Sequence, residues 1–198
     1  MLRVGVTASI GAGKTTICKM FKELGCYYTN TDEIARLIMS TNPTVIKAAK
    51  ELLGEEAYID DEPNRPYISK IVFEDSNKRK SLEKILEPKM RDYVNHMAVT
   101  LHDKKILIVE SAIFFETNTD DLIDLMIGVD VTEPIRIERV QKRNNLSYDE
   151  VMMRMKAQLN NTDKMNKCDF IINNSGELDE LLPQVEKLYK LLSKIANL

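Results

Sequence analysis

The chain has 198 residues and a formal net charge of −3, enough for one α/β domain with inserted subdomains around a real core. The mild acidic balance argues against a general nucleic-acid binder, which carries a basic excess. Cys18, Cys26 and Cys168 are scattered and lack C-x-x-C spacing, so a zinc or disulfide framework is not expected, and no apolar run reaches the length of a membrane span. The opening residues already carry strand pattern rather than a leader, and the expectation is a cytoplasmic protein with reduced thiols and no membrane partner.

Leu2–Thr7 is an apolar run and predicts a strand. Residues 8–15 follow as ASIGAGKT, a small-residue loop ending in Gly-Lys-Thr. Ile17, Met20, Phe21 and Leu24 then recur at i, i+3, i+4 and i+7, one face of a helix that Gly25 stops. A strand, such a loop and a helix build a nest of backbone N–H groups able to hold nucleotide phosphates. Lys14 is placed to reach the β- and γ-phosphates, and the Thr15 hydroxyl to ligate Mg²⁺. The strict pattern G-x-x-x-x-G-K-[ST] is missed at its first position, where Ala8 leaves positive φ less accessible than glycine would.

Further strands are predicted at 27–29, 105–110, 125–131 and 170–173, with helical pattern between them, which indicates a parallel sheet covered on both faces. The runs 106–109 and 170–172 are continuously apolar, as for strands buried on both sides. Between 31 and 102 the alternation lapses and helical periodicity dominates. Leu82, Ile85, Leu86, Met90, Val94, Met97 and Leu101 form one pattern, which Pro88 is expected to break or kink. Residues 55–66 are acidic and then proline-rich, a turn region. A basic helical stretch covers 134–167. The last helix carries Leu178, Leu181, Leu182, Val185, Leu188, Tyr189, Leu192 and Ile195 as a core stripe, with Pro183 a misfit near its start.

Asp32 follows the second strand, at the sheet edge where open α/β folds bind ligands. It reads either as a general base facing an acceptor hydroxyl or as a helix cap. Arg36, four residues on, either pairs with it or meets a substrate phosphate. Glu110 ends the third strand, where an acidic residue orients Mg²⁺ in Walker B arrangements. Residues 111–116 (SAIFFE) form an apolar loop that lines a pocket or plugs the core. Arg136, Arg139 and Arg143 share a predicted helix face, either a transition-state clamp or a solvated basic surface. Asn166-Lys167-Cys168-Asp169 matches the guanine-reading N-K-x-D pattern, but it precedes a strand instead of following one, and no D-x-x-G switch accompanies it. His96 and His102 have no metal-ligand partners at useful spacing.

Taken together, these segments resemble the dephospho-coenzyme A kinase family nearly end to end. TASIGAGKTT resembles the family's TGGIGSGKST, and TNTDEIAR its IDAD-xIAR segment. Asn64-Arg65 with Ile71-Val72-Phe73 resembles its D-R…IVF stretch, and Leu86-Glu87-Pro88 its LHP. Residues 110–116 resemble D-V-P-L-L-F-E. Arg139 and Arg143-Asn144-Asn145-Leu146-Ser147 resemble R…R-D-G-L-S, and Gln158 with 169–176 the closing Q…D-x-I-x-N-x-G. The chain departs from the pattern at Ala8 and Ser9, which replace two glycines, at Asn30, which replaces the first Asp of D-A-D, at Glu87, and at Ser111-Ala112.

The resemblance implies a P-loop kinase fold of the α/β class: a parallel five-stranded sheet with helices on both faces, a helical coenzyme A subdomain and a lid. The nucleotide-binding core would be 1–30, 103–133 and 168–198, the acceptor subdomain 31–102, and the lid 134–167. It implies ATP and Mg²⁺ as cofactors and phosphorylation of the ribose 3′-hydroxyl of dephospho-coenzyme A, with no nucleic-acid, membrane or obligate protein partner. Gly11, Ala12, Gly13, Lys14, Thr15, Thr16 and Asn174 would bind ATP, and Thr15 and Glu110 the metal. Asp32 would be the base, Lys14, Arg139 and Arg143 would complete the catalytic set, and Arg36, Arg65 and Glu116 would meet the acceptor. A nucleoside monophosphate kinase on the same scaffold, or a nucleotide switch without an acceptor, are the competing readings.

Overall fold

The structure is a computed structural model that describes residues 1–156 and 158–197. In chain order, β1 (Leu2–Thr7), α1 (Lys14–Glu23), β2 (Tyr27–Asn30), α2 (Thr31–Thr41) and α3 (Pro43–Leu53) lead to a small hairpin of β3 (Tyr58–Ile59) and β4 (Glu62–Pro63). Helices α4 (Arg65–Glu74) and α5 (Ser76–Thr100) follow, then β5 (Ile106–Glu110), β6 (Leu125–Asp130), α6 (Glu133–Asn144), α7 (Tyr148–Lys156), α8 (Asn161–Met165), β7 (Phe170–Asn173) and α9 (Leu178–Ile195). The chain divides into two compact units, Met1–Asn30 with Ala98–Leu198, and Thr31–Met97.

The first unit is built on a five-stranded sheet in the order β2-β5-β1-β6-β7, all neighbours parallel. Val6 stands opposite Glu110 on one side and Ile127 on the other, so the ends of β1, β5 and β6 are aligned. Side chains alternate between the faces. Val4, Val6, Ile108, Ile127 and Val129 join Ile17, Phe21, Leu181, Val185 and Leu192 of α1 and α9 in one core. On the opposite face a Cβ at Gly128 would lie 2.7 Å from Met165 Sδ, so glycine there lets α8 close on β6. Helix α1 stops as its sequence directs. Gly25 has φ 103°, and Cys26 N donates to Phe21 O across it, a Schellman closure.

Three expectations are refined. Of the break or kink expected at Pro88, the break does not occur: α5 runs 25 residues through it. Pro88 and Lys84 are exposed, so the carbonyl that loses its partner stays open to water, while Leu82, Leu86 and Val94 are buried and hold the helix. The acidic turn region contains the hairpin, with Asp60 (φ 50°) and Asp61 (φ 63°) as its two left-handed central residues. Finally, β7 is an edge strand. Ile172 is buried but Ile171 is 55% exposed, and in α9 Leu178 and Leu182 face solvent although Leu181, Val185, Leu188 and Leu192 are buried.

Asp124 ties the start of β6 to β1: Arg3 N donates to its Oδ2 at 2.7 Å and Arg3 NH2 to its Oδ1 at 2.9 Å. Burial favours the protonated carboxyl, but the Arg3 hydrogen bonds and charge outweigh it, and the pKa falls below its ordinary 3.8. A depressed carboxyl adds stability that is present above the unfolded pKa and is lost as pH falls through the folded one. Asp124→Asn should therefore be less stable than the parent at pH 7, with the gap closing below about pH 4, in urea unfolding across pH. A gap independent of pH would contradict this. Leu192→Ala, at a fully buried position, should cost about 2–5 kcal/mol in the same measurement.

Candidate active site

Residues 8–13 connect β1 to α1, and their shape is set by two glycines. Gly11 has φ 85° and Gly13 φ 86°. A Cβ at Gly11 would lie 2.5 Å from the Arg136 carbonyl oxygen, and one at Gly13 2.4 Å from Asn174 Nδ2. Either substitution combines backbone strain with a collision. Ala8, by contrast, has no positive φ and is fully buried, so the missing first glycine costs the loop nothing and its methyl joins the core. Asn174, nine-tenths buried, donates from Nδ2 to Ala12 O at 2.8 Å and fixes the loop from the end of β7.

Gly13 is the N-cap of α1 and supplies no side-chain acceptor, and the first turn has no acidic residue. Instead a cation, Lys14, occupies the first helical position. Both features work against the helix, whose first-turn N–H groups and positive dipole end call for an anion. The combination is what an external phosphate would complete.

Thr15 sits one residue further on. Its hydroxyl donates to Glu110 Oε1 at 2.7 Å, and the Tyr28 hydroxyl donates to Glu110 Oε2 at 2.7 Å. Glu110 is 4% exposed and is thus a buried carboxylate held between two hydroxyls. Burial first, then the Glu110 hydrogen bond, push the Tyr28 pKa far up, and burial with the Glu110 charge does the same to Cys18. With its hydrogen committed to Glu110, Thr15 Oγ1 keeps lone pairs as acceptors. That oxygen suits Mg²⁺, which binds through few protein oxygens plus phosphates and water. Among the described residues no group of three His, Cys, Asp or Glu could hold a metal alone.

The three arginines of α6 separate. Arg136 is buried, donates from Nε to Val131 O at 3.1 Å and lies 3.8 Å from Glu133, so it is not part of an open cationic face. Burial depresses its pKa. Arg139 is half-buried, and Arg143 is exposed near the end of the helix, with Nε on Asn144 Oδ1. Asp32, Arg36 and Arg65 belong to the second unit and are exposed. Asp32 lies in the first turn of α2, inside the helix instead of at its cap, and Arg36 lies one turn on. The side chain of Asn64 accepts from Tyr67 N and makes Arg65 the first residue of α4, again a cation at a helix start. Thr16 N donates to Gly13 O at 3.1 Å.

Glu116 Oε1 accepts from Lys164 Nζ at 3.0 Å and from Leu159 N at 2.9 Å. The full burial of Lys164 carries no mark in the sequence, since it stands in a polar stretch and its partner is 48 residues away. Tyr28 was equally invisible. The N-K-x-D stretch is structural: Asp169 exchanges hydrogen bonds with the Met126 backbone through its own N–H and its Oδ2.

A phosphate loop at the carboxyl edge of a five-stranded parallel sheet, with a lysine and a threonine–carboxylate pair behind it, defines a P-loop kinase. The sequence pattern of dephospho-CoA kinase matches residues 2–180. A dephospho-CoA kinase of Chlorobaculum tepidum is 35% identical, covering 99% of this chain and 97% of its own, and one of Leptospira interrogans is 32% identical over 96% and 92%. The chain belongs to the dephospho-CoA kinase family. Its fold superposes on the solved structure of a dephospho-CoA kinase from Campylobacter jejuni with a TM-score of 0.72, 25% identity and 97% coverage of both chains. A shikimate kinase of Bacteroides thetaiotaomicron, 16% identical with a TM-score of 0.56 over 97% and 98% of the two chains, shares the fold alone.

Tyr28→Phe leaves one oxygen of a buried carboxylate without its donor and should destabilise the protein by about 1–3 kcal/mol in denaturant unfolding. A change under about 0.5 kcal/mol would mean that Glu110 is hydrated and not held.

Proposed function

We propose that the chain transfers the γ-phosphoryl group of ATP to the ribose 3′-hydroxyl of dephospho-coenzyme A through the following residues. The family establishes ATP-dependent phosphorylation of dephospho-coenzyme A. The observation that carries the residue assignment is the start of α1, where Lys14 and uncapped amides stand in place of the acid a helix would choose.

Gly11, Ala12, Gly13, Lys14, Thr15 and Thr16 form the ATP phosphate site, with the Lys14 ammonium and the amides of Gly11, Gly13 and Thr15 as donors, and Asn174 holds the loop through Ala12 O. Thr15, with Glu110 behind it, would hold Mg²⁺, which would supply positive charge to the phosphate oxygens. Asp32 accepts the proton of the acceptor hydroxyl and lowers the barrier to its attack in line with the leaving oxygen. Arg143, supported by Arg139, reaches over the equatorial oxygens from the lid, 134–167. Residues 31–102 form the acceptor subdomain. In it Arg65, at the start of α4, and Arg36 meet the acceptor's phosphates, for which a helix start with a cation is suited. Glu116, its Oε1 held by Lys164, shapes the acceptor side of the 111–116 loop. Water is kept out by closure, so that ATP is not hydrolysed instead.

No described helix is long and apolar enough to cross a membrane, and we place the reaction in the cytoplasm without a nucleic-acid, membrane or obligate protein partner.

Asp32→Ala should lower kcat about 10²–10⁴-fold while ATP affinity changes less than about threefold, in coupled ADP assays and titration calorimetry. An active Asp32→Ala enzyme would remove the base. In the parent, an acceptor panel should show dephospho-coenzyme A phosphorylated and nucleoside monophosphates left unreacted. The reverse preference would overturn the acceptor.

A further inference from the structure

Residues 158–164 return from α7 toward the sheet and touch both loops that the chemistry requires. At one end the Ile10 N–H of the phosphate loop donates to Gln158 Oε1 at 2.9 Å. Beside it the Ser9 hydroxyl donates to Asn161 Oδ1 at 2.9 Å, and Asn161 Nδ2 donates to Asp130 Oδ1, at the end of β6, at 2.8 Å. Ser9 is 3% exposed. A glycine at position 9, as in the resembled pattern, could not make this tie. These groups edge a cleft of about 490 Å³.

At the other end the segment grips the 111–116 loop. Leu159 N donates to Glu116 Oε1, and Lys164 Nζ reaches the same oxygen and, at 2.6 Å, the Ala112 carbonyl. Lys164 is wholly inaccessible. Just beyond, Lys167 Nζ lies 5.1 Å from the Phe115 ring centre. The Lys164 ammonium loses its water while Glu116 keeps part of its own, so the pair gives little stability that packed apolar groups would not supply. What the pair does fix is direction and distance.

The 111–116 loop leaves β5 directly after Glu110, and Glu110 holds Thr15 at the start of α1. The contacts therefore close a ring: phosphate loop, Thr15, Glu110, the 111–116 loop, Lys164 with Glu116, then Asn161 and Gln158, and back to Ser9 and Ile10. We infer that Gln158 and Lys164 are positioning residues for phosphoryl transfer, fixing the phosphate loop and the 111–116 loop relative to each other through the segment that returns from the lid. Neither needs to touch the reacting atoms. Each removes freedom from a loop that does, and small misplacements of reacting groups are costly in rate. The inference rests on the reading of the phosphate loop as the ATP site, and ATP titration of the parent enzyme tests that reading separately.

The experiment compares the full-length parent with Gln158→Ala, Lys164→Met and the double variant, by steady-state kinetics with Mg·ATP and dephospho-coenzyme A, ATP titration and thermal melting. The expected result is a fall in kcat of about tenfold or more in each single variant, with the KM for ATP moving less than about threefold. The double variant should be no more than about threefold slower than the slower single one, because both cut the same ring. Lysine-to-methionine exchange keeps the stem volume but risks the fold. Gln158→Ala, at a half-exposed site, keeps the proposal testable if it does. Lowered melting temperatures with kcat per folded molecule unchanged would overturn the inference, and so would rate losses that multiply in the double variant.

Discussion

The start of α1 imposes the constraint on which the rest of this structure depends. A helix leaves its first N–H groups without partners, and most chains fill them with a serine, aspartate or asparagine side chain. This chain places glycine at the cap and lysine at the first turn. A cation at that end of the helix opposes the dipole, where an acidic side chain would complement it. Folding alone would not favour that choice. It is the kind of local inconsistency that a working site tolerates and the surrounding structure holds in place.

The surroundings hold it from several directions. The carbonyl of Arg136 comes so near Gly11 that no side chain fits, and Asn174 reaches Ala12 from the last strand. Glu110, buried between Thr15 and Tyr28, ties the helix start to the neighbouring strands. Such a loop is preorganised. A loop held in one shape before a ligand arrives loses less ordering entropy on binding. The buried carboxylate also orients the Thr15 hydroxyl, which donates to it.

Much of this was legible in the sequence because it is local. Small residues followed by Gly-Lys-Thr, between an apolar run and a helical stripe, mark the loop without any tertiary knowledge, and β1 and β7 begin and end where their patterns do. What escaped was set by distant parts of the chain. The burial of Lys164 depends on Glu116 and Ala112, and the role of Tyr28 on Glu110. The exposure of Ile171 follows from β7 lying at the sheet edge, which strand order decides and composition does not. Pro88 was misleading for a related reason. Its cost is local, but the burial of Leu82, Leu86 and Val94 that outweighs it is tertiary. The Asp60-Asp61 hairpin lacks the Asn-Gly or Asp-Gly signal that usually announces such a turn.

Titration calorimetry of Mg·ATP into the parent protein and into Lys14→Met addresses the central claim most directly. The account predicts saturable one-to-one binding in the parent and at least a hundredfold weaker binding in the variant, a loss of about 3 kcal/mol. Equal affinity in the two proteins, or no affinity for any nucleoside triphosphate in the parent, would contradict it.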